Sequence, residues 1–339
     1  MNLDEERALR AEIFAALDEL VAVKGGALTR PELFDFNLHG RPLPLVDRNR
    51  GIRNPVSLAS TLSIMTKPGS EYTDEVIGES LHTYAYTKTP ADKGDNVKLR
   101  HSVTTGLPMI FLQWINVDGI RYVPIYPVYA IKDDLANRRI VLALDEKLLD
   151  VDDPLHLTPV EKRYAQRLTD QRLHQPQFRS QVLFAYKKRC AVCRLGRPEL
   201  LEAAHIIGDK EQHGSAEIAN GLSLCRIHHT VFDCDLVGIS PDLRVHIGPA
   251  VMDADNEGPI LKFALKGMDK AQLLVPSTKK YRPSADRLAE RFEQFKIKSG
   301  SAAGIDVAFT KPIAWQGSTG SGSPARNQSA NLAQKSDRT

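Results

Sequence analysis

Between Cys190 and Asp233 the chain reads CAVCRLGRPELLEAAHIIGDKEQHGSAEIANGLSLCRIHHTVFD, a density of metal-ligand residue types that packing alone does not explain. Cys190 and Cys193 form a C-x2-C knuckle, and Cys225 with His228 repeats the spacing as C-x2-H. Two-residue spacing lets a tight turn aim both side chains at one ion, and Cys3His is a closed tetrahedral shell suited to structural Zn. The remaining cysteine, Cys234, reads as a small buried hydrophobe. Two disulfides are the alternative use of these cysteines. The opening MNLDEERALR has no apolar signal region, which argues for a reducing, cytoplasmic setting and hence for metal.

A second set of residues lies between the knuckles. His205 in LEAAHII sits where a short strand would end at an exposed histidine, and Asn220 opens NGLSLC, whose Asn-Gly pair signals a turn between two strands. His229 and Asp233 in HHTVFD have the spacing that places two side chains on one helix face. Each also has a plain reading: His205 as a core histidine, Asn220 as a turn residue, and Asp233 as a cap or a partner for Arg226. His213 and His246 carry only the plain reading.

The order strand with His, turn with Asn, helix with His and Asp resembles the HNH, or ββα-metal, nuclease family, over roughly Phe178 to Ile247. The resemblance implies that His205 is the general base that activates water against a phosphodiester, and that Asn220 positions the loop and orients that base. It further implies that His229 with Asp233 holds a catalytic divalent ion, Mg, Mn or Ni, and that Cys190, Cys193, Cys225 and His228 hold the structural Zn. The chemistry asks for the same residue types, because histidine has a pKa near neutrality and the leaving oxygen needs a cation. Ala204 departs from the family pattern, which places a further Asp or His ligand just before the base. Glu202, two residues away on the same strand face, is the residue that could compensate.

At 339 residues the chain has room for about two domains, and 42% hydrophobic content supplies ordinary cores. No stretch is apolar enough for a membrane helix. A net charge of +3 says little by itself. Local charge says more. From Glu161 to Arg197 run Lys162, Arg163, Arg167, Arg172, Arg179, Lys187, Lys188, Arg189, Arg194 and Arg197 against only Glu161 and Asp170, a surplus of eight that a phosphate backbone would reward. The preceding segment, with Asp133, Asp134, Asp145, Glu146, Asp150, Asp152 and Asp153, is acidic, and the shift marks a domain boundary near residue 155.

The N-terminal part begins with a helical stripe over residues 4 to 24 (Leu9, Ile13, Phe14, Leu17, Leu20, Val21). Strand-like runs follow from Leu81: LHTYAYT, MIFLQWINV, GIRYVPIYPVYAI and RRIVLALD. With the nuclease pattern behind it, this half is similar to the reader domain of modification-dependent HNH restriction endonucleases, on HTYAYT, DNVKLRHSVTTGLPMIFL and RYVPIYPVYAIKDD; both halves together extend the resemblance over most of residues 40 to 298. It implies an SRA-like fold that flips 5-methylcytosine or 5-hydroxymethylcytosine into an aromatic-lined pocket, and hence a type IV restriction enzyme acting on modified double-stranded DNA. Tyr84, Tyr86 and Trp114 are stacking candidates, Asp95 and Asn96 hydrogen-bonding candidates, and Arg48, Arg50, Arg53 and Arg100 phosphate candidates, each equally readable as a core, turn or surface residue.

The expected fold is α+β: residues 1–155 an SRA-like reader with a helical lead-in, 156–177 a basic linker, 178–298 a zinc-containing HNH domain and 299–339 a disordered tail rich in Gly, Ser, Asn and Gln. One active site per chain would make double-strand cutting the work of a homodimer or of two bound copies. An HNH nuclease reading unmodified DNA and a decayed zinc-containing DNA-binding module are the competing readings.

Overall fold

The computed structural model describes residues 1–66, 76–77, 81–149, 151–209, 211–255 and 258–301. The expected tail lies outside the described residues from 302 onward.

The lead-in helix is α1 (Leu3–Lys24). Asn2 and Glu5 close a capping box at its start, and Gly25, in the left-handed conformation with φ 91°, ends it. Ile13 and Leu17 of the predicted stripe are wholly buried, with Leu9, Phe14, Leu20 and Val21 packed around them. Two polar residues are buried beside them, which the stripe alone does not reveal. Arg10 and Glu6 pair at 2.6 Å, and both side chains are spent on backbone. The guanidinium donates to Thr61 O at 2.9 Å and Ser60 O at 3.1 Å, while Glu6 Oε2 accepts from Ala59 N at 2.7 Å. A buried pair survives only when its remaining hydrogen-bonding capacity is met, as it is here.

After α2 (Arg30–Phe34) come the short strands β1 (Asn37–Leu38) and β2 (Arg41–Pro42), and then β3 (Ile52–Arg53), β4 (Ser63–Met65), β5 (Val76–Ile77), β6 (Leu81–Ala85), α3 (Asp95–Thr105), β7 (Met109–Asn116), β8 (Ile120–Asp134) and β9 (Arg139–Ala143). Seven of them form one sheet in the order β3-β4-β7-β8-β9-β6-β5, antiparallel except between β4 and β7. Register shifts at Met109/Phe111 and Ala130/Lys132 bend the long central strand β8 against both neighbours, and bulges of that kind curl a sheet. One side packs under α1 around Ile110, Leu112 and Tyr122, and the other packs around Phe111, Ile125 and Leu99 of α3.

The basic stretch is helical. Thr158 and Glu161 box the start of α4 (Pro159–Thr169), which runs through one π-helical turn at Asp170–His174 into α5 (Gln175–Ala185). The C-terminal half then forms β10 (Leu201–His205), β11 (Gly221–Cys225), α6 (Arg226–Asp233), a hairpin of β12 (Val237–Ile239) and β13 (Val245–Ile247), α7 (Pro249–Met252) and α8 (Ala285–Ser301). Its core is not closed off from the first half. Ala27, Ile115, Val117 and Val123 belong to the same buried cluster as Phe178, Val182, Leu222 and Phe232.

His82 on β6 is buried, with no hydrogen-bond partner on either ring nitrogen among the described residues, its ring 4.8 Å from that of Phe111. Burial, with the charge of His174 adding to it, pushes its pKa from 6.5 down to about 4. The folded state therefore holds the neutral ring, and the stability this confers is complete above the unfolded pKa and lost as pH falls toward the folded one. We expect stability to fall by roughly 3 kcal/mol across that window, and the His82→Leu variant to lack that share of the slope, in denaturant titrations at several pH values. An identical pH dependence in both proteins would contradict this.

Candidate active site

The antiparallel pair β10–β11 places His205 opposite Gly221. The backbone there runs against α5: a Cβ on Gly221 would meet Val182 Cγ2 at 2.4 Å and Phe178 Cζ at 3.0 Å. Asn-Gly is thus not a two-residue hairpin turn, contrary to the turn expected between adjacent strands. Asn220 ends a 3-10 turn (Ile218–Asn220), and its side chain ties down the backbone at Ile207 and Ser215. The Asn220 side chain is fully buried. Its Oδ1 accepts from Ile207 N at 3.0 Å, and its Nδ2 donates to Ile207 O at 2.8 Å and Ser215 O at 2.9 Å. A carboxamide is suited to this task because it accepts and donates at once.

His205 leaves the end of β10 half-buried. Its ring stacks on Phe178 at 4.0 Å and 10°. Its Nε2 lies 2.8 Å from Asp209 Oδ1, too far off the N–H axis to form a hydrogen bond. Burial pulls the His205 pKa below its ordinary value; Asp209 opposes the shift, His229 reinforces it and Asp233 opposes it. His205 and the α6 pair are thus close enough to act on one another electrostatically.

On α6, His229 Nε2 is 3.2 Å from Asp233 Oδ2, the shared helix face expected from their spacing. His229 Nδ1 is 2.7 Å from Glu202 Oε2, and Arg226 Nε lies 3.4 Å from the other oxygen of that carboxylate. Glu202 therefore reaches His229 from β10, while Arg226 pairs with Glu202 and not with Asp233. With Nδ1 carrying the hydrogen that Glu202 accepts, Nε2 keeps its lone pair beside Asp233. One nitrogen and one carboxylate oxygen at that separation suit a divalent ion with oxygen-rich coordination.

The neighbouring His228 turns the opposite way. Its Nδ1 is 3.1 Å from Cys225 Sγ and 3.6 Å from Cys190 Sγ, Cys193 Sγ is 3.9 Å from Cys225 Sγ, and all four ligand atoms lie within 4.8 Å of one another. The cysteines are free thiols, not disulfides. Edges of this length match a tetrahedron around an ion with ~2.3 Å bonds to sulfur and ~2.0 Å bonds to nitrogen, so the cluster could bind a metal such as zinc. His228 Nε2 lies 2.8 Å from Ala264 O, which directs the Nδ1 lone pair at the sulfurs. Hydrogen bonds from Cys193 and Cys225 hold the Cys190 thiol low. Cys234, expected to be buried, is exposed just past the last turn of α6 and takes no part in the cluster. His213 sits 3.0 Å from Glu290, and His246 sits 3.0 Å from Ser240 Oγ.

The residues proposed for base recognition do not converge in this way. Tyr84 and Tyr86 are in the core of the sheet, the first with its hydroxyl 3.2 Å from Gly51 O and Met65 O, the second hydrogen-bonded to Asp133. Trp114 is half-buried against the α1 side of the sheet. Asp95 accepts from Arg50 at 3.0 Å and from Asn54 at 3.1 Å, and buried Asn96 holds the Thr87–Pro90 loop through bonds to Thr87 N at 2.9 Å and Thr89 O at 3.0 Å. Arg53 donates to Pro44 O at 3.1 Å, Arg100 pairs with Asp133 at 2.7 Å, and Arg48 lies 5.2 Å from the Phe34 ring centroid.

A cleft of about 520 Å³ opens beside His205, with Glu202 and Asp209 on its wall, Phe178 and Arg179 of α5 along it, and Gly26 and Val123 of the first half across it. Asp209 and Arg179 were not singled out from the sequence as site residues. The spacing His205 to Asp209 was a usable signal for the first. Arg179 looked like one more member of a basic run.

Residues 190–240 match the family of HNH endonucleases. No curated protein sequence matches the chain. Among solved structures the chain is similar to one described as "Modification dependent TagI restriction endonuclease", at 18% identity and a TM-score of 0.26, covering 80% of this chain and 92% of that chain. A likeness of that size leaves the argument to the residues themselves.

Elemental analysis of the purified protein should find one zinc per chain. We expect Cys225→Ser to lose most of it together with several degrees of thermal stability, and Cys234→Ser to lose neither, because metal affinity at such a site is folding free energy. Full zinc content in the Cys225 variant would refute the ligand assignment.

Proposed function

We propose that the chain is a metal-dependent endonuclease that hydrolyses phosphodiester bonds of double-stranded DNA, and that its N-terminal half directs it to DNA carrying 5-methylcytosine or 5-hydroxymethylcytosine. The observation that carries the nuclease part is that β10 ends at His205, whose following loop Asn220 ties down, and that Glu202 of the same strand holds the His229–Asp233 pair of α6. The match of residues 190–240 to the HNH endonucleases supports it.

His205 takes a proton from the attacking water as the water oxygen bonds to phosphorus and the ester P–O bond breaks. Its lowered pKa keeps the ring neutral, the form a base requires, at neutral pH. Phe178 fixes the plane of the ring, and Asn220 fixes the loop that leaves the strand just after it. Glu202 orients His229, so that His229 Nε2 and Asp233 would hold a divalent ion. Bound there, such an ion would stabilise charge on the leaving oxygen. Lys162, Arg163 and Arg167 on α4, and Lys187, Arg189, Arg194 and Arg197 around the first knuckle, are exposed, which suits contact with a phosphate backbone. The step to modified DNA rests on the resemblance of HTYAYT, DNVKLRHSVTTGLPMIFL and RYVPIYPVYAIKDD to modified-base readers. Ala204, packed in the core, supplies no ligand, so a decayed centre is the reading to test against.

With Mg, Mn or Ni, the protein should cut methylated plasmid in preference to unmethylated plasmid. Equal cutting of both would remove the reader and leave the nuclease. His205→Ala should lower the cleavage rate by ~10²- to 10⁴-fold while DNA affinity and zinc content stay unchanged. A variant that still nicks at the wild-type rate would remove His205 from the mechanism.

A further inference from the structure

Arg179 stands apart from the other basic residues of its stretch. It is half-buried on α5, where its Nη2 donates to Pro198 O at 3.1 Å and Leu201 O at 2.9 Å, so the guanidinium is held by the backbone that leads into β10. Among the described residues no carboxylate lies within ion-pair distance of it, although Glu202 is close enough to act on it electrostatically. A Cβ on Gly26, which has φ 102°, would fall 3.2 Å from Arg179 Nη1 and 2.4 Å from Ser180 Oγ, so the loop after α1 lies directly over the guanidinium. The side chain also lines the 520 Å³ cleft with His205, Asp209 and Glu202.

Those placements impose a charge problem that Arg179 solves. Glu202, Asp209 and Asp233 all approach the two histidines, and a phosphodiester entering the cleft adds another negative charge, which grows as water attacks. One divalent ion held by His229 and Asp233 would offset part of it. A guanidinium that remains protonated and keeps donors unspent would supply part of the rest. With Nη2 spent on Pro198 O and Leu201 O, the hydrogens of Nη1 and Nε are the ones left for a phosphate oxygen, and the backbone bonds hold them in one direction as a flexible lysine ammonium would not be held.

We propose that Arg179 binds the scissile phosphate and stabilises the charge that develops on it. The inference rests on the nuclease reading above. Arg179→Ala, Arg179→Lys, His205→Ala and wild type would be compared for single-turnover cleavage, for affinity to the same duplex with calcium in place of the active ion, and for thermal midpoint. Arg179→Ala should lose ~10²-fold or more in cleavage rate with a far smaller loss of affinity, as removal of one transition-state donor typically does. Because the residue also ties α5 to β10, some loss of thermal midpoint is expected. Millimolar guanidinium or methylguanidinium should nevertheless raise the rate of the alanine variant at a temperature where it is folded, and should leave His205→Ala unmoved. Arg179→Lys should recover affinity more than rate. A folded alanine variant with wild-type rate, or a loss that follows the thermal midpoint and ignores guanidinium, would overturn the assignment of Arg179 alone. Wild-type protein inert with every divalent ion would overturn the nuclease reading and this inference together.

Discussion

The close approach of β11 to α5 is the constraint on which the rest depends. Gly221 has no room for a Cβ because Val182 and Phe178 occupy the space, and Gly26 has none because Ser180 does. Helix α5 is thus gripped from the C-terminal ββα unit on one side and from the loop after α1 on another. The residues it presents between these grips are Phe178, which stacks on His205, and Arg179, which reaches the cleft. A bulkier residue at either glycine would move the helix, and with it the ring that sets the plane of the candidate base. Packing at native density transmits such a shift instead of absorbing it.

Two adjacent histidines on α6 are separated by the helix geometry. Successive residues point about 100° apart, so His228 faces the three sulfurs while His229 faces β10. In each ring one nitrogen is assigned by an acceptor outside the cluster: Ala264 O fixes Nε2 of His228, and Glu202 fixes Nδ1 of His229. The opposite nitrogen is thereby left for an ion in each case. The end of the same helix is anchored by α8. Arg291 donates to Phe232 O at 2.7 Å and pairs with Asp235, which also accepts from Lys298 at 2.7 Å. The short ββα unit could not hold these directions unaided.

How much of this was legible in the sequence depends on the range of the interaction. Spacing within one turn or one helix face was readable: C-x2-C, C-x2-H, the His229–Asp233 pair and the α1 stripe all follow from local periodicity. The strands from Leu81 onward were readable for the same reason. Contacts between distant segments were not. Asn-Gly reads as a tight turn, but Gly221 answers to α5 and Asn220 to a loop that begins at Ile206. Cys234 reads as apolar, yet it is exposed where α6 ends. Arg10 and Glu6 stand outside the apolar stripe of α1, yet the loop from Ala59 to Thr61 encloses them. Aromatic residues on strands were candidates for a binding pocket, but Tyr84 and Tyr86 pack in the sheet core, as alternation on a buried strand dictates.

Ala204 supplies no ligand, and carboxylates of three other residues lie beside the two histidines. Ala204 itself is fully buried in the core. The carboxylates reach the histidines from other directions: Glu202 from β10, Asp209 from the loop that Asn220 clamps, and Asp233 from α6. Of these, Asp209 depends most on the fold, since its place follows from the bonds that Asn220 makes to Ile207 just upstream. Loss of Asn220 would leave three buried backbone bonds unmade, at ~1–3 kcal/mol for each group left unsatisfied, and would release the loop that carries Asp209. The asparagine therefore acts on the site through the carboxylate beside His205 as well as through the strand that ends there.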